Sequence, residues 1–280
     1  MTPRILTVAM QKGGVGKTTI ATNLAGALAG ALGQRVLVVD FDDQCNTTTS
    51  LLGKVDSGRT VEDVLLKETP MADVRQTTEY CERLAVVAGS PKLPVWEDEI
   101  RSERWDRFVV AAHQTLPALV PPDVDIVLFD TPPTLGLWMQ VALAASDGVL
   151  IVARPDRFSK DGLARLQETI GHVRNIIHPD LRVEGIVLNA VKEYTNLHSG
   201  YLEAYREIFA DLLLEPHIPE RQIVQELQIV GRPIEFYADN SQYPRDMRER
   251  FRQLARAVLK RLEKRTDEPI AARAAGVVGV

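Results

Sequence analysis

The sequence predicts an α/β protein with a doubly wound, mostly parallel sheet and helices on both faces. Two observations carry this. Six short runs rich in β-branched residues, at 5–9, 35–40, 84–88, 125–130, 148–153 and 183–188, are apolar at nearly every position rather than alternately, as expected of strands covered on both faces. Segments of helical periodicity separate several of them, and strand–helix–strand alternation favours parallel pairing.

The first strand leads through a glycine-rich turn into a helix predicted over 18–32, where Ile20, Leu24, Ala27, Leu28 and Ala31 recur at helical spacing. The second strand ends at Asp40. The stretch 53–122 is the least regular, with Pro91, Pro94, Pro117, Pro121 and Pro122 as expected breaks, and should elaborate a surface of the same domain. Beyond it come the strand ending at Asp130, the strand at 148–153, a helix marked by Leu163, Leu166, Ile170 and Val173, and the strand at 183–188. A last helix is predicted within 244–265, with Met247, Phe251, Leu254, Ala255, Val258 and Leu262 on one stripe. No long polar linker and no internal repeat interrupts the chain. Residues 1–265 are therefore expected to form one domain, and 266–280 a disordered tail.

With 280 residues, 45% of them hydrophobic and 25% charged, the chain can bury a sizeable core, which excludes disordered, collagen-like and low-complexity classes. Cys45 and Cys81 have no CxxC spacing, so neither a disulfide scaffold nor a structural zinc site is indicated. No apolar run reaches bilayer length and no secretion signal precedes the first strand, so a cytoplasmic protein is expected. Nor is an N-terminal DNA-binding extension expected before Ile5, which speaks against operator-specific repression. The net charge of −5 is uneven: 243–265 holds nine basic and three acidic residues, a local +6 against −11 elsewhere.

The turn after the first strand reads Gln11-Lys12-Gly13-Gly14-Val15-Gly16-Lys17-Thr18-Thr19. Gly13, Gly14 and Gly16 allow successive backbone N–H groups to face an anion, and the helix beginning near Lys17 adds its positive end. Lys17 supplies a charge for the β- and γ-phosphates, and the Thr18 hydroxyl suits Mg²⁺, which prefers hard oxygen ligands. Gly-Lys-Thr between a strand and a helix points to ATP or ADP with Mg²⁺ rather than to a simple helix cap. Asp130, closing an apolar strand before Thr131-Pro132-Pro133-Thr134-Leu135-Gly136, has the form of a Walker B aspartate that holds Mg²⁺ through water. Asn189, at the end of a strand, can donate to and accept from an adenine edge, or can serve as an ordinary turn residue.

Gln11 stands where the usual P-loop has glycine, and Lys12 adds a second lysine. The run from Lys12 to Thr19 resembles Lys-Gly-Gly-x-Gly-Lys-Thr-Thr, the deviant Walker A signature of the ParA/MinD ATPase family. The resemblance implies that Lys12 acts in trans on a partner subunit's nucleotide in an ATP-bound homodimer; a solvated loop charge is the plainer reading. The segment Asp40-Phe41-Asp42-Asp43-Gln44-Cys45-Asn46 resembles the family's D-x-D-P-Q-x-N. That match implies that Asp42 positions or polarises the attacking water while Asp40 supports Thr18 and the metal shell, although from spacing alone Asp42 could equally cap a helix. Asp43 replaces the usual proline and Cys45 a usual glycine. His217-Ile218-Pro219-Glu220-Arg221 resembles the I-P-R segment that packs on the purine, which implicates Pro219.

On the last helix, Arg245, Arg248, Arg252, Arg256 and Lys260 fall within a sector of about 120° away from the apolar stripe. Such a ridge can be merely a solvated face or can hold DNA backbone. The resemblance implies the latter: non-specific, nucleoid-associated DNA binding, with a ParB-like partner stimulating hydrolysis to move plasmid or chromosome cargo. One departure is Glu193-Tyr194, where relatives often carry arginine. The alternative is a MinD-like membrane positioner or nucleotide-gated regulator, but the tail, with one Arg, acids, Pro and Gly, lacks an amphipathic anchor, so no membrane partner is expected. A reductase of the same fold would bridge an iron–sulfur cluster through cysteines, which the position of Cys45 does not suit.

Overall fold

The structure, a computed structural model, describes residues 2–53, 58–100, 105–239 and 241–263; the expected tail at 266–280 lies outside them. Eight strands form one sheet: β1 Arg4–Ala9, β2 Val36–Asp40, β3 Gln76–Thr78, β4 Cys81–Val87, β5 Ile126–Asp130, β6 Gly148–Ala153, β7 Arg182–Leu188 and β8 Leu213–Leu214. Their order is β3-β4-β2-β5-β1-β6-β7-β8, and every neighbouring pair is parallel except β3 with β4. All six expected strands form. The two that were not expected, β3 and β8, are three and two residues long at the sheet edges, too short to leave a periodic signal.

The helices are α1 Lys17–Gly30, α2 Asn46–Leu52, α3 Val61–Lys67, α4 Met71–Val74, α5 Leu93–Ile100, α6 Trp105–Ala118, α7 Leu137–Ala144, α8 Arg157–Ile176, α9 Asn196–Phe209, α10 Gln222–Val230 and α11 Gln242–Glu263. The irregular stretch thus holds four helices after α2. Of its expected breaks, Pro91, Pro121 and Pro122 lie between elements, while Pro94 sits in the first turn of α5 and Pro117 in the last turn of α6. Helix α1 is buried almost all round. Its outer side meets α11 and the turn at 234–236: Asn23 Oδ1 accepts from Ile234 N at 2.8 Å, and a Cβ at Gly26 would lie 2.5 Å from Pro233. Ala31 is exposed because the helix ends one residue before it. On α11, all six stripe residues are buried, and burying a side chain such as Phe251 contributes about 1.5–3 kcal/mol.

The chain turns one way from β1 to β2, β4 and β3 and the other way to β6, β7 and β8, so the sheet has its switch point at the carboxyl end of β1. Ligands of open α/β sheets bind in the crevice at such a point. The register brings Val8 beside Asp130 and Asp130 beside Asp40, so three strand ends converge there. No helix among the described residues is long and apolar enough to cross a membrane.

Candidate nucleotide site

The loop between β1 and α1 is built around Gly16, at φ +93°, which turns the chain into the helix. No side chain caps that end and no acid lies in the first turn, so the orphan N–H groups of α1 remain to meet an anion. A Cβ at Gly13 or Gly14 would touch nothing within 4 Å, whereas one at Gly16 would lie 2.1 Å from Asn189 Nδ2. The first two glycines therefore leave room beside the loop backbone, and the third admits a neighbouring strand's side chain. Val15 and Thr19 are buried and anchor the loop. Lys17 is 7% exposed; burial lowers its pKa, opposed by the charges of Asp130 and Asp42.

Asp130 is fully buried. Its Oδ2 accepts from Thr18 Oγ1 and from Thr47 Oγ1, each at 2.7 Å, while Oδ1 is buried with no hydrogen-bond partner among the described residues. Burial pushes this carboxyl's pKa up, and the two hydroxyls and Lys17 oppose the shift. An unsatisfied carboxylate oxygen beside a threonine hydroxyl and a buried lysine fits a hydrated Mg²⁺ with a phosphate chain: no three His, Cys, Asp or Glu side chains among the described residues form a metal cage of their own, and Mg²⁺ commonly takes few protein ligands.

Asp40 is equally buried but does not support Thr18, which corrects the expectation for it. Its Oδ2 accepts from the backbone and hydroxyl of Thr48, at 2.9 and 2.7 Å, and its Oδ1 from Asp42 N at 3.1 Å. The Thr18 hydroxyl turns to Asp130 instead. Desolvation, then the neighbouring Asp130, pushes Asp40 up to about 7. Asp42 is 6% exposed, with Oδ1 accepting from Gln44 N at 3.0 Å; burial raises its pKa too. It closes a turn onto Gln44 rather than capping α2, whose N-cap is Cys45, and it lies close enough to Lys17 to feel its charge. At the departures from the family pattern, Cys45 adopts φ +51°, a region that favours glycine, and Asp43 accepts from Gln44 Nε2 at 2.8 Å.

Lys12 does not point into its own loop. Its Nζ holds both carboxylate oxygens of Asp156, beyond the end of β6, at 2.9 and 2.8 Å. Asn189 Nδ2 donates to Val15 O at 2.7 Å, so the amide expected at the purine fastens β7 to the phosphate loop. Pro219 is buried and bridges to Val191 in parallel. Arg154, which no motif of the sequence marks, donates to Gly14 O at 3.3 Å and pairs with Glu220, which also faces Lys192. No local motif announces Arg154 or Asp156; the crossover of β6 beside β1 brings them to the loop. Thr47 and Thr48 had a faint signal, lying immediately after the acidic segment at a helix start.

The basic ridge on α11 is largely spoken for. Arg248 donates to the carbonyls of Ile234, Tyr237 and Asp239, Arg252 makes a bidentate pair with Glu235 at 2.6 and 2.9 Å, and Arg256 pairs with Glu249 at 3.1 Å. Only Arg245 and Lys260 of the five are exposed with no side-chain partner among the described residues. Helical spacing found the face correctly but could not see acids and carbonyls arriving from the 234–239 segment. Glu193 is the centre of a separate network, accepting from His217, Arg221 and Arg250.

Residues 3–183 match the family model described as AAA domain. The sporulation initiation inhibitor protein Soj of Bacillus subtilis (strain 168) is 33% identical over 244 residues, 85% of this chain and 92% of its own length. The chromosome partitioning protein ParA of Myxococcus xanthus (strain DK1622) is 35% identical over 84% of this chain and 81% of its own. Among solved structures, cobyrinic acid a,c-diamide synthase from Mycobacterium smegmatis, with bound ATP analog and magnesium, is 25% identical and superposes with a TM-score of 0.74 over 96% of this chain and 99% of that one. Matched over most of its length by relatives a third identical to it, and carrying the second P-loop lysine, the chain belongs to the ParA/Soj family of P-loop ATPases.

Proposed function

We propose that the protein is a DNA-partition ATPase that binds ATP with Mg²⁺, pairs with a second copy in the ATP state, holds DNA without reading sequence, and lets go on hydrolysis stimulated by a ParB-like partner at the nucleoid. The observation that carries this reading is the division of labour between two lysines on one loop. Lys17 is buried among the groups that receive phosphate, while Lys12 is held outside the loop by Asp156. A lysine serving its own nucleotide has no need of that outward partner. One serving a second subunit can be parked there, in a part-buried ion pair that a partner's nucleotide phosphates would replace.

In this mechanism the loop amides and Lys17 bind the β- and γ-phosphates of the nucleotide, with Thr18 and Asp130 holding the metal side. Bound magnesium would neutralise charge on the transferring phosphoryl group. Asp42 orients the attacking water and accepts its proton at the carboxylate, whose pKa burial raises. Arg245 and Lys260 contribute the DNA contact from α11, Arg256 can join them by leaving its exposed partner Glu249, and two copies double that small charge. Phosphate contacts are salt-sensitive, with log K falling by about 0.9 per neutralised phosphate for each tenfold rise in salt.

The test is DNA binding across a salt series with ATP, with ADP and without nucleotide, alongside sedimentation of the protein. Tighter binding and a larger sedimenting species with ATP alone are expected. Equal affinity in all three states would overturn the nucleotide-gated DNA reading.

A further inference from the structure

Asp40 and Asp130 are register partners on adjacent parallel strands, so two fully buried carboxylates stand side by side. Such a pair repels when ionised and needs donors aimed at each member. Helix α2 supplies them from consecutive residues. Thr47 Oγ1 donates to Asp130 and Thr48 Oγ1 to Asp40, each at 2.7 Å, and Thr48 Oγ1 in turn accepts from Gly89 N at 2.8 Å. Because neighbouring helical residues are about 100° apart, one α2 turn can serve both strands.

Thr47 and Thr18 converge on the same oxygen of Asp130, one from α2 and the other from the phosphate loop. That sharing leaves Oδ1 as the unsatisfied oxygen. Rotating a carboxylate held by one hydroxyl loses one buried hydrogen bond; with both hydroxyls on the same oxygen, rotation loses two. The D-x-D-P-Q-x-N resemblance ends at Asn46, so Thr47 lies just outside it.

We propose that Thr47 is a positioning residue of the magnesium site: its hydroxyl fixes the Asp130 carboxylate so that Oδ1 faces the metal shell, and makes magnesium binding depend on the docking of α2. The inference rests on the Mg²⁺–nucleotide reading above and adds a residue to it. Loss of an outer partner of this kind typically weakens metal affinity about 10-fold or more.

The experiment titrates Mg²⁺ into the full chain with a fluorescent ADP analogue and reads nucleotide affinity, with no turnover involved. Thr47→Val keeps the shape and removes the donor; Thr47→Ser keeps the donor. For Thr47→Val the Mg²⁺ needed for half-maximal effect should rise about 10-fold, with affinity in chelator unchanged, while Thr47→Ser stays within twofold of the parent. If Thr47→Val does not fold, as judged by thermal melting, Thr47→Ala against Thr47→Ser gives the same contrast. A hydroxyl-free variant that folds and keeps the parent's Mg²⁺ dependence would overturn the inference. A parent protein whose nucleotide affinity ignores Mg²⁺ would instead overturn the reading on which it rests.

Discussion

The carboxyl ends of β2 and β5 and the outer face of α11 are both charged regions named by sequence pattern, yet the structure treats them in opposite ways. At the strand ends, charges are buried together with a group left unsatisfied, Asp130 Oδ1, and all three aspartates are shifted upward chiefly by desolvation. On α11, most of the cations are matched: Arg252 to Glu235, Arg256 to Glu249 and Arg248 to three carbonyls. Unmatched buried charge is costly and persists where a ligand completes it, whereas matched surface charge mainly holds elements in place. A charged pattern points to chemistry only when its own fold has not already neutralised it.

The largest effects that would break this comparison lie at the strand ends. Lys17→Ala should remove detectable nucleotide binding in a fluorescence titration, and Asp42→Ala should keep binding while lowering turnover on the order of 100-fold. Unchanged turnover in the second variant would reduce Asp42 to a turn cap. On α11 the expected effects are smaller and of another kind. Arg252→Ala should cost about 1–2 kcal/mol in denaturant unfolding, because it strands the nearly buried Glu235 while leaving the nucleotide site alone. Replacing Arg245 and Lys260 together should leave stability within about 0.5 kcal/mol and flatten the salt dependence of DNA binding. If Arg252→Ala instead preserved stability and lost DNA, the ridge would regain the role that its spacing suggested.

The strand-end carboxylates also predict a pH dependence. Asp40 is raised in the folded state, to about 7 against an ordinary value near 4, so the folded state holds its proton more tightly. The sign follows: its stabilising contribution is complete below the ordinary value and is lost as pH rises through about 7. Melting of the nucleotide-free protein should therefore fall from pH 5 to pH 7 and level off above it. Asp40→Asn should flatten that slope, and a slope that survives the substitution would assign it to another group.

The strands and the phosphate loop were legible because their signals are local. An apolar run must be covered on both faces, and a glycine-rich turn before Lys17 and Thr18 has few other uses. Asp130 was legible for the same reason, closing an apolar strand. What escaped was relational. Nothing local to Asn189 shows that its Nδ2 also meets Val15 O once β7 is placed beside the loop. Asp40 looks like a metal support until α2 turns Thr48 toward it. Arg154 and Asp156 belong to no motif and reach the site only through the crossover that sets β6 next to β1.

Cys45 places a chemical reporter at the start of α2. Its thiol is buried at the start of the helix, its backbone sits in the left-handed region, and burial together with Asp40, Asp42 and Asp43 pushes its pKa up to about 12. Alkylation requires thiolate, so Cys45 should stay silent while α2 is docked and react when the helix lifts away from those carboxylates. In a Cys81→Ser background, its labelling rate should report how often α2 opens.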